Sequence, residues 1–270
     1  MILAVDIGNT NIVLGGYQNE ALVFSTRLAT DKTLEADQYA LQLEGILRLY
    51  HLRPDDVEDA VLSSVVPPMT DTLCRALGTL CGVKPLVLHQ SLRTGVTVDI
   101  ENPAELGDDL LAGAIAARAA WPLPAVVLDL GTATKMTAVD ETGAVRGVSI
   151  MPGVLLSLNA LVSGASQLGG LALCPPAHAI GRTTVESMQS GIVLGTASML
   201  DGMLDRFEAE LGCICFYYTV SVGVVQRHFV VEWVYPALRA AYWITFSISL
   251  SMGLPAWEKC SDTRILVLPQ

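Results

Sequence analysis

The chain has 270 residues, of which 51 % are hydrophobic, and a formal net charge of −11. This length suffices for one large α/β domain or for two smaller lobes, each with its own buried sheet. The acidic balance argues against nucleic acid as the main partner, because binding to a phosphate backbone depends on clustered Lys and Arg.

The six cysteines show no paired Cys-x-x-Cys spacing, which argues against a structural zinc site and against a secreted disulfide scaffold. The N-terminus runs from Met1 straight into a short apolar strand, without a charged leader or a cleavage site. We therefore expect a cytoplasmic protein with reduced cysteines.

The first predicted element is an apolar run that ends in Asp, within residues 3–11, and residues 127–134 repeat its pattern. In both copies, the Asp is followed by an apolar residue, a Gly and a turn of hydroxyl-bearing or amide-bearing residues. This pattern predicts a buried strand that enters a tight hairpin.

Two further strand-like runs follow each copy. They are residues 13–17 and 21–28 in the first half, and residues 134–139 and 145–151 in the second. Each half therefore begins as a three-stranded meander on one Asp-Gly hairpin.

Downstream of the first meander, residues 34–49 carry apolar side chains at helical spacing, which predicts an amphipathic helix. A strand at 57–66, a helix at 68–80 and a strand at 85–88 complete the order βββαβαβ. The second half repeats the opening of this order.

A duplicated βββαβαβ unit predicts an α/β protein with a two-lobed, actin-like (ribonuclease H-like) fold. The lobes would be residues 1–117, with a phosphate loop and a crossover helix, and residues 118–270. A carboxylate at the end of each first strand can hold a hydrated cation, and the following glycine lets backbone amides approach phosphate oxygens. One isolated Asp-x-Gly would indicate a plain hairpin, but two copies with matching strands favour a phosphate site. The chain contains neither a P-loop motif nor a Gly-x-Gly-x-x-Gly turn.

Residues 102–113 begin with a helix-start signal and continue into an alanine-rich helix that would cross between the lobes. Asp108 and Asp109 lie near the start of that helix. Two carboxylates at this point could simply complement the helix dipole, or they could carry substrate chemistry.

Six motifs occur in the order and spacing of type III pantothenate kinases, a family that residues 1–212 therefore resemble. They are Asp6 to Asn11, Ser63 to Pro67, Asn102 to Asp109, Asp129 to Thr134, Met151 to Gly153, and Gly181 to Gly191.

The resemblance implies an ATP-dependent phosphotransferase with an alcohol group as acceptor. Its reaction would be phosphorylation of pantothenate to 4′-phosphopantothenate, the first step of coenzyme A biosynthesis. The resemblance also implies a homodimer, Mg²⁺ bound with ATP, and a monovalent cation, K⁺ or NH₄⁺.

The resemblance also assigns roles to individual residues. Asp109 matches the general base, Asp6 would hold Mg²⁺ through water, and Asp129 would hold the monovalent cation. The residues matched to ATP phosphates are Asp6, Ile7, Gly8, Asn9, Thr10, Asn11, Ile12, Val13 and Thr132. The residues matched to pantothenate are Gly107, Asp108, Asp109, Leu110 and Thr184, the last contributed across the dimer interface.

The chain departs from the family pattern in two places. Many members carry Arg after the base where this chain has Leu110, which cannot make a charge-assisted bond to the pantothenate carboxylate. Residues 213–270 lack the expected Thr-Gly-Gly turn and hold three of the four Trp but only two of the 23 Gly. This break indicates a shifted reading frame or a replaced terminus, with an irregular, partly exposed end.

A membrane role for these last residues is the rival interpretation. The apolar run at 240–254 falls short of the roughly 20 residues that a spanning helix needs, so we expect no membrane partner. The alternative function is a catalytically impaired, actin-like nucleotide-binding or regulatory protein. Leu110 and the altered end favour it, whereas retention of Asp109 and Thr184 favours the kinase.

Overall fold

The computed structural model describes residues 1–19, 21–164, 171–212, 215–219 and 243–244. These residues divide into two compact units, residues 1–116 and residues 117–244. Each unit contains a five-stranded sheet.

The sheet of the first unit has the strand order β3-β2-β1-β4-β5. Strand β1 is antiparallel to β2 and parallel to β4, so β1 and β4 end at the same edge of the sheet. The order βββαβαβ predicted from the sequence is confirmed here. The elements are β1 Ile2–Ile7, β2 Asn11–Gln18, β3 Ala21–Ala29, α1 Ala36–Leu49, β4 Asp59–Ser64, α2 Pro67–Cys81 and β5 Leu86–Val87.

The core of the first unit lies between this sheet and the pair α1 and α2. Alternate residues of β1 point into it, and Leu3, Val5 and Ile7 are buried. Helix α1 contributes the apolar stripe predicted from its spacing, including Tyr39 and Leu43. Burial of these side chains fixes β1 at the centre of the sheet, and so fixes the position of the turn that follows it.

The sheet of the second unit has the order β10-β9-β6-β7-β8, in which β6 takes the place of β1. Its core is formed by β6, β7 and a helical layer. The boundary between the units falls within α3. The elements are α3 Asp108–Ala120, β6 Ala125–Leu130, β7 Ala133–Val139, β8 Val145–Pro152, α4 Val154–Gly164, α5 Thr184–Gln189, α6 Gly195–Leu211, β9 Cys215–Thr219 and β10 Trp243–Ile244.

One helical run differs from its sequence prediction. The apolar spacing of residues 185–211 predicts a single amphipathic stretch, but Ser190–Leu194 forms a π turn between α5 and α6. A π turn adds a residue to one helical turn and so changes which side chains share a face on either side of it. Ile192 and Val193 within the turn are buried in the core.

The expectation of an irregular end after Gly212 is wrong for Cys215–Thr219. These residues form β9, which pairs in parallel with β6 from Ala125 opposite Cys215 to Asp129 opposite Thr219. Apart from β9 and β10, the residues after Gly212 lie outside the described part of the chain. Within the described part, no helix is both long and apolar enough to span a membrane.

Candidate active site

The first candidate element is the turn between β1 and β2. Gly8 N donates a hydrogen bond to Asn11 O over 2.9 Å, which closes the turn, and Thr30 Oγ1 donates to Gly8 O over 2.7 Å. Asn9 and Thr10 at its tip are exposed. The turn therefore presents backbone amides and polar side chains to solvent, at the end of a buried strand.

The residues predicted to bind ATP phosphates in this turn fall into two classes. Ile7 and Ile12 are fully buried in the core of the first unit, so only their backbone atoms could face a nucleotide. Asp6 is half-buried at the end of β1, beside the exposed Asn9 and Thr10. Carboxylate, amide and hydroxyl oxygens are the ligands that Mg²⁺ accepts, often through water, so this set fits a hydrated Mg²⁺.

The second candidate element is the start of α3. Leu110 N donates to Asp109 Oδ1 over 2.8 Å and to Gly107 O over 3.1 Å. A Cβ atom at Gly107 would lie 2.6 Å from Asp109 Oδ1. The Asp109 carboxylate therefore folds back over the backbone of Gly107, in a space that only glycine leaves open.

The structure brings these two elements together within the first unit. Val65, just after β4, donates its backbone N–H to Ile7 O over 3.0 Å. A Cβ atom at Gly107 would lie 3.8 Å from Cγ1 of the same Val65. Gly107 and Asp109 therefore lie at the sheet edge where β1 and β4 end.

The two adjacent carboxylates at this edge differ in environment. Burial raises the pKa of Asp108, the nearby Asp109 raises it further, and His89 opposes the change. Asp108 is therefore harder to ionise than an ordinary aspartate. Leu110, the next residue along the chain, is half-buried beside them.

The third candidate element is the turn between β6 and β7, in the second unit. Gly131 N donates to Ala133 O over 3.1 Å, and Thr132 is exposed at the tip. Gly153 N donates to Thr132 O over 3.1 Å. A Cβ atom at Gly153 would collide with the backbone oxygens of Gly131 and Thr132, so glycine is required for this contact.

Asp129, at the end of β6, forms an ion pair that sequence reasoning missed. Lys135 Nζ lies 2.8 Å from Asp129 Oδ2, and 18 % and 16 % of the two side chains are exposed. The residues are direct cross-strand partners on β6 and β7. The lysine was visible in the sequence, but its partner depends on the register of the hairpin.

This ion pair bears on the monovalent cation expected at Asp129. Oδ2 already contacts a fixed ammonium, so this oxygen is not available to a metal ion while the pair is intact. No group of three or more His, Cys, Asp or Glu that could hold a metal occurs in the described part of the chain.

Thr184 is the first residue of α5, and its side chain is exposed. The neighbouring Thr183 caps the helix, since its Oγ1 accepts a hydrogen bond from Glu186 N over 3.1 Å. Glu186 also accepts from Arg182 N over 2.9 Å and contacts His178, and these bonds lower its pKa. The segment before Thr184 is therefore held by its own local hydrogen bonds.

Three comparisons with known proteins identify relatives of the chain. The sequence model of the type III pantothenate kinase family matches residues 2–206. The enzyme of that name from Halalkalibacterium halodurans is 38 % identical over 210 residues, which cover 78 % of this chain and 83 % of the relative. Its counterpart from Roseiflexus sp. is 38 % identical over 218 residues, covering 80 % and 84 %.

Among solved structures, (R)-2-hydroxyglutaryl-CoA dehydratase component A from Acidaminococcus fermentans aligns with a TM-score of 0.52 and 15 % identity, over 91 % of each chain. That likeness concerns the fold alone, and the actin-like α/β fold predicted from the repeat is confirmed. The sequence matches go further, because they span more than three quarters of the chain at 36–38 % identity. The chain belongs to the type III pantothenate kinase family.

Proposed function

We propose that this chain transfers the γ-phosphoryl group of ATP to the primary hydroxyl of pantothenate, giving 4′-phosphopantothenate and ADP as the first step of coenzyme A biosynthesis. The observation that carries the proposal is the Asp109 carboxylate, held over Gly107 at the edge where β1 and its turn end. A protein that only binds nucleotide would have no need of an acceptor-side carboxylate at this edge.

In the reaction, the pantothenate hydroxyl oxygen attacks the γ-phosphorus, and the bond from that phosphorus to the ADP oxygen breaks. Asp109 orients the hydroxyl and accepts its proton. Phosphoryl transfer asks a protein mainly for positioning and for stabilisation of charge. The hydrogen bond from Leu110 N to Asp109 Oδ1 holds the carboxylate in a fixed orientation at this edge of the sheet.

The turn of residues 6–13 would contact the nucleotide phosphates, and the exposed Thr132, in the matching turn of the second unit, would offer a phosphate contact of its own. The hydrogen bond from Gly8 N to Asn11 O gives the first turn a fixed shape, and a fixed shape lowers the entropy lost on binding. Mg²⁺, bound through water at Asp6, would neutralise phosphate charge. The protein has a net charge of −11, so these local donors have to offset a general repulsion.

Pantothenate would contact Gly107, Asp108 and Leu110, with Thr184 completing its pocket. Leu110 offers no charged donor to the pantothenate carboxylate. Loss of such a contact removes about 1.5–3 kcal/mol, which weakens binding roughly tenfold or more. We therefore propose a weaker pantothenate affinity than in relatives with Arg at this position, with the transfer chemistry intact.

We also propose a homodimer, in which Thr184 acts in the partner subunit's site. Exposed apolar side chains support this arrangement, since such residues are usually covered in a contact. They are Leu155, Leu156 and Leu161 on α4, and Ile180 and Val185 around the start of α5. Neither nucleic acid nor a membrane has a part in the proposed reaction, which would take place in the cytoplasm.

One measurement tests the proposed function. The purified chain is assayed for ADP release with and without pantothenate, and 4′-phosphopantothenate is identified by mass spectrometry. Pantothenate-dependent ADP release with formation of that product supports the proposal. Leu110 favours a second candidate, an impaired nucleotide-binding protein, for which ADP would bind in calorimetry without any phosphorylated product.

A further inference from the structure

We infer that the ammonium of Lys135 is a built-in counter-cation for Asp129, and that it takes the place of a bound monovalent cation at the second hairpin. The inference rests on the proposed function, because it concerns the turn that would take ATP phosphates. It replaces the metal ion expected at Asp129 with a side chain of this chain.

The geometry is that of a formed, shielded ion pair. Lys135 Nζ and Asp129 Oδ2 are 2.8 Å apart, within the range of a charge-assisted hydrogen bond. Both side chains are more than four-fifths buried. Asp129 and Lys135 are also direct partners in the antiparallel ladder of β6 and β7, so their side chains leave the same face of the sheet.

The matching cross-strand position of the first hairpin holds an uncharged residue. Asp6, the counterpart of Asp129, lies opposite the uncharged Val13. Six residues separate Asp6 from Val13, whereas five separate Asp129 from Lys135. The ammonium is thus a feature of one copy of the repeat and does not follow from the fold as such.

The charges explain what the ammonium would do. Asp129 lies three residues before Thr132, so an uncompensated carboxylate there would repel an incoming polyphosphate. Lys135 cancels that charge at close range. Because the ammonium is tethered to β7, its occupancy does not depend on the salt in solution. Removal of its charge should leave Asp129 in need of a cation from solution.

The test uses the full chain, the variant Lys135→Met, and the matched control Lys84→Met, whose lysine is exposed. ADP affinity by calorimetry and the melting temperature are measured at fixed ionic strength, in KCl and in tetramethylammonium chloride. For the unaltered chain and for Lys84→Met, we expect the ADP affinity in KCl and in tetramethylammonium chloride to agree within about twofold. Lys135→Met should bind ADP about tenfold more weakly in tetramethylammonium and recover in K⁺, with a melting temperature that rises with K⁺.

Two results would overturn the inference: K⁺-dependent ADP binding or melting of the unaltered chain, or Lys135→Met behaving like the unaltered chain in both salts. If Lys135→Met does not fold, Lys135→Arg, which keeps the charge, must stay independent of K⁺. A chain that binds ADP but makes no 4′-phosphopantothenate would refute the proposed function and leave this inference standing. If ADP does not bind at all, the inference is judged by the melting temperatures, which should rise with K⁺ for Lys135→Met and not for the unaltered chain.

Discussion

The carboxylate of Asp109 occupies the space that a side chain at Gly107 would need, because a Cβ atom there would lie 2.6 Å from Asp109 Oδ1. Gly107 is two residues before Asp109, the proposed general base, and its carbonyl oxygen accepts hydrogen bonds from Leu110 N and Leu111 N in the first turn of α3. The position of the Asp109 carboxylate is thus tied to the absence of a side chain at Gly107.

Gly107→Ala should therefore displace the Asp109 carboxylate. A displacement of about 1 Å in a reacting group can lower turnover by roughly 10²-fold, so we expect kcat to fall by about 10- to 100-fold. ADP affinity, measured by calorimetry, should stay the same.

Gly45→Ala is the matched control, since nothing lies within 4 Å of a Cβ atom at Gly45 in α1. That change should leave kcat unaltered and stabilise the helix by up to about 1 kcal/mol. Full activity of Gly107→Ala would show that the close approach has no part in catalysis.

Asp109→Asn keeps the size of the side chain and removes its ability to accept a proton. Turnover should fall by about 10²–10⁴-fold while ADP still binds. Asp108→Asn is the comparison, because Asp108 is the adjacent carboxylate and is proposed to contact pantothenate without accepting the proton of its hydroxyl, so its loss should lower turnover much less. If steady-state kinetics found Asp108→Asn to be the damaging change, the base would have been assigned to the wrong carboxylate.

Gly153→Ala should disturb the second hairpin, since its methyl group would collide with the backbone of Gly131 and Thr132. Backbone atoms cannot rotate away as a side chain can, so we expect a loss of about 1–3 kcal/mol in the free energy of unfolding. ADP affinity should fall as well. Gly147→Ala, on β8, meets nothing within 4 Å and should lower neither quantity.

Asp140 should make stability depend on pH through the turn between β7 and β8. Burial acts to raise the pKa of Asp140, but the net change is a lowered pKa. The groups that lower it are the hydrogen bonds that Oδ1 accepts from Thr142 Oγ1, Ala144 N and Thr142 N, together with the nearby Arg146. A lowered pKa means that the ionised group stabilises the folded state above its unfolded pKa of about 3.9. That stabilisation is lost as the pH falls through the lower, folded value.

Asp140→Asn should accordingly cost about 1 kcal/mol in the free energy of unfolding at neutral pH, because its amide oxygen makes weaker bonds than a carboxylate. Denaturant unfolding from pH 7 to pH 3 should show this difference shrinking. Glu141→Gln removes the same charge from an exposed neighbour and should behave like the unaltered chain. A difference that stays constant with pH would rule out the ionised carboxylate as its source.

The order of elements in the first unit could be predicted because each element has its own periodic pattern. The alternation in β1 and the helical stripe of α1 are local properties of the sequence, and the helix expected at 34–49 is observed at Ala36–Leu49. The duplication was also predictable, because the motif at residues 3–11 is repeated at 127–134. In the structure, β1 is the central strand of the first sheet and β6 is the central strand of the second.

The contacts that shape the site were not predictable, because they depend on register and on close packing. Lys135 stands opposite Asp129 only because of the register of the hairpin. A turn one residue longer or shorter would place a different side chain opposite Asp129. The close approach of the Asp109 carboxylate to Gly107 depends on the exact backbone conformation at the start of α3, which the sequence pattern does not give. Strand β9 was missed because its residues gain a place in the sheet only through pairing with β6.

That pairing has a practical consequence for shortening the protein. A chain that ended at Gly212 would lose β9, and β6 would become an edge strand. The N–H and C=O groups of β6 that now pair with β9 would then be unpaired. Residues 125–128 of β6 are all buried and apolar. Such an edge strand is a template on which strands of other molecules can add, and it leads to insoluble protein. Truncation for crystallisation or biochemistry should therefore keep residues through Thr219 at least.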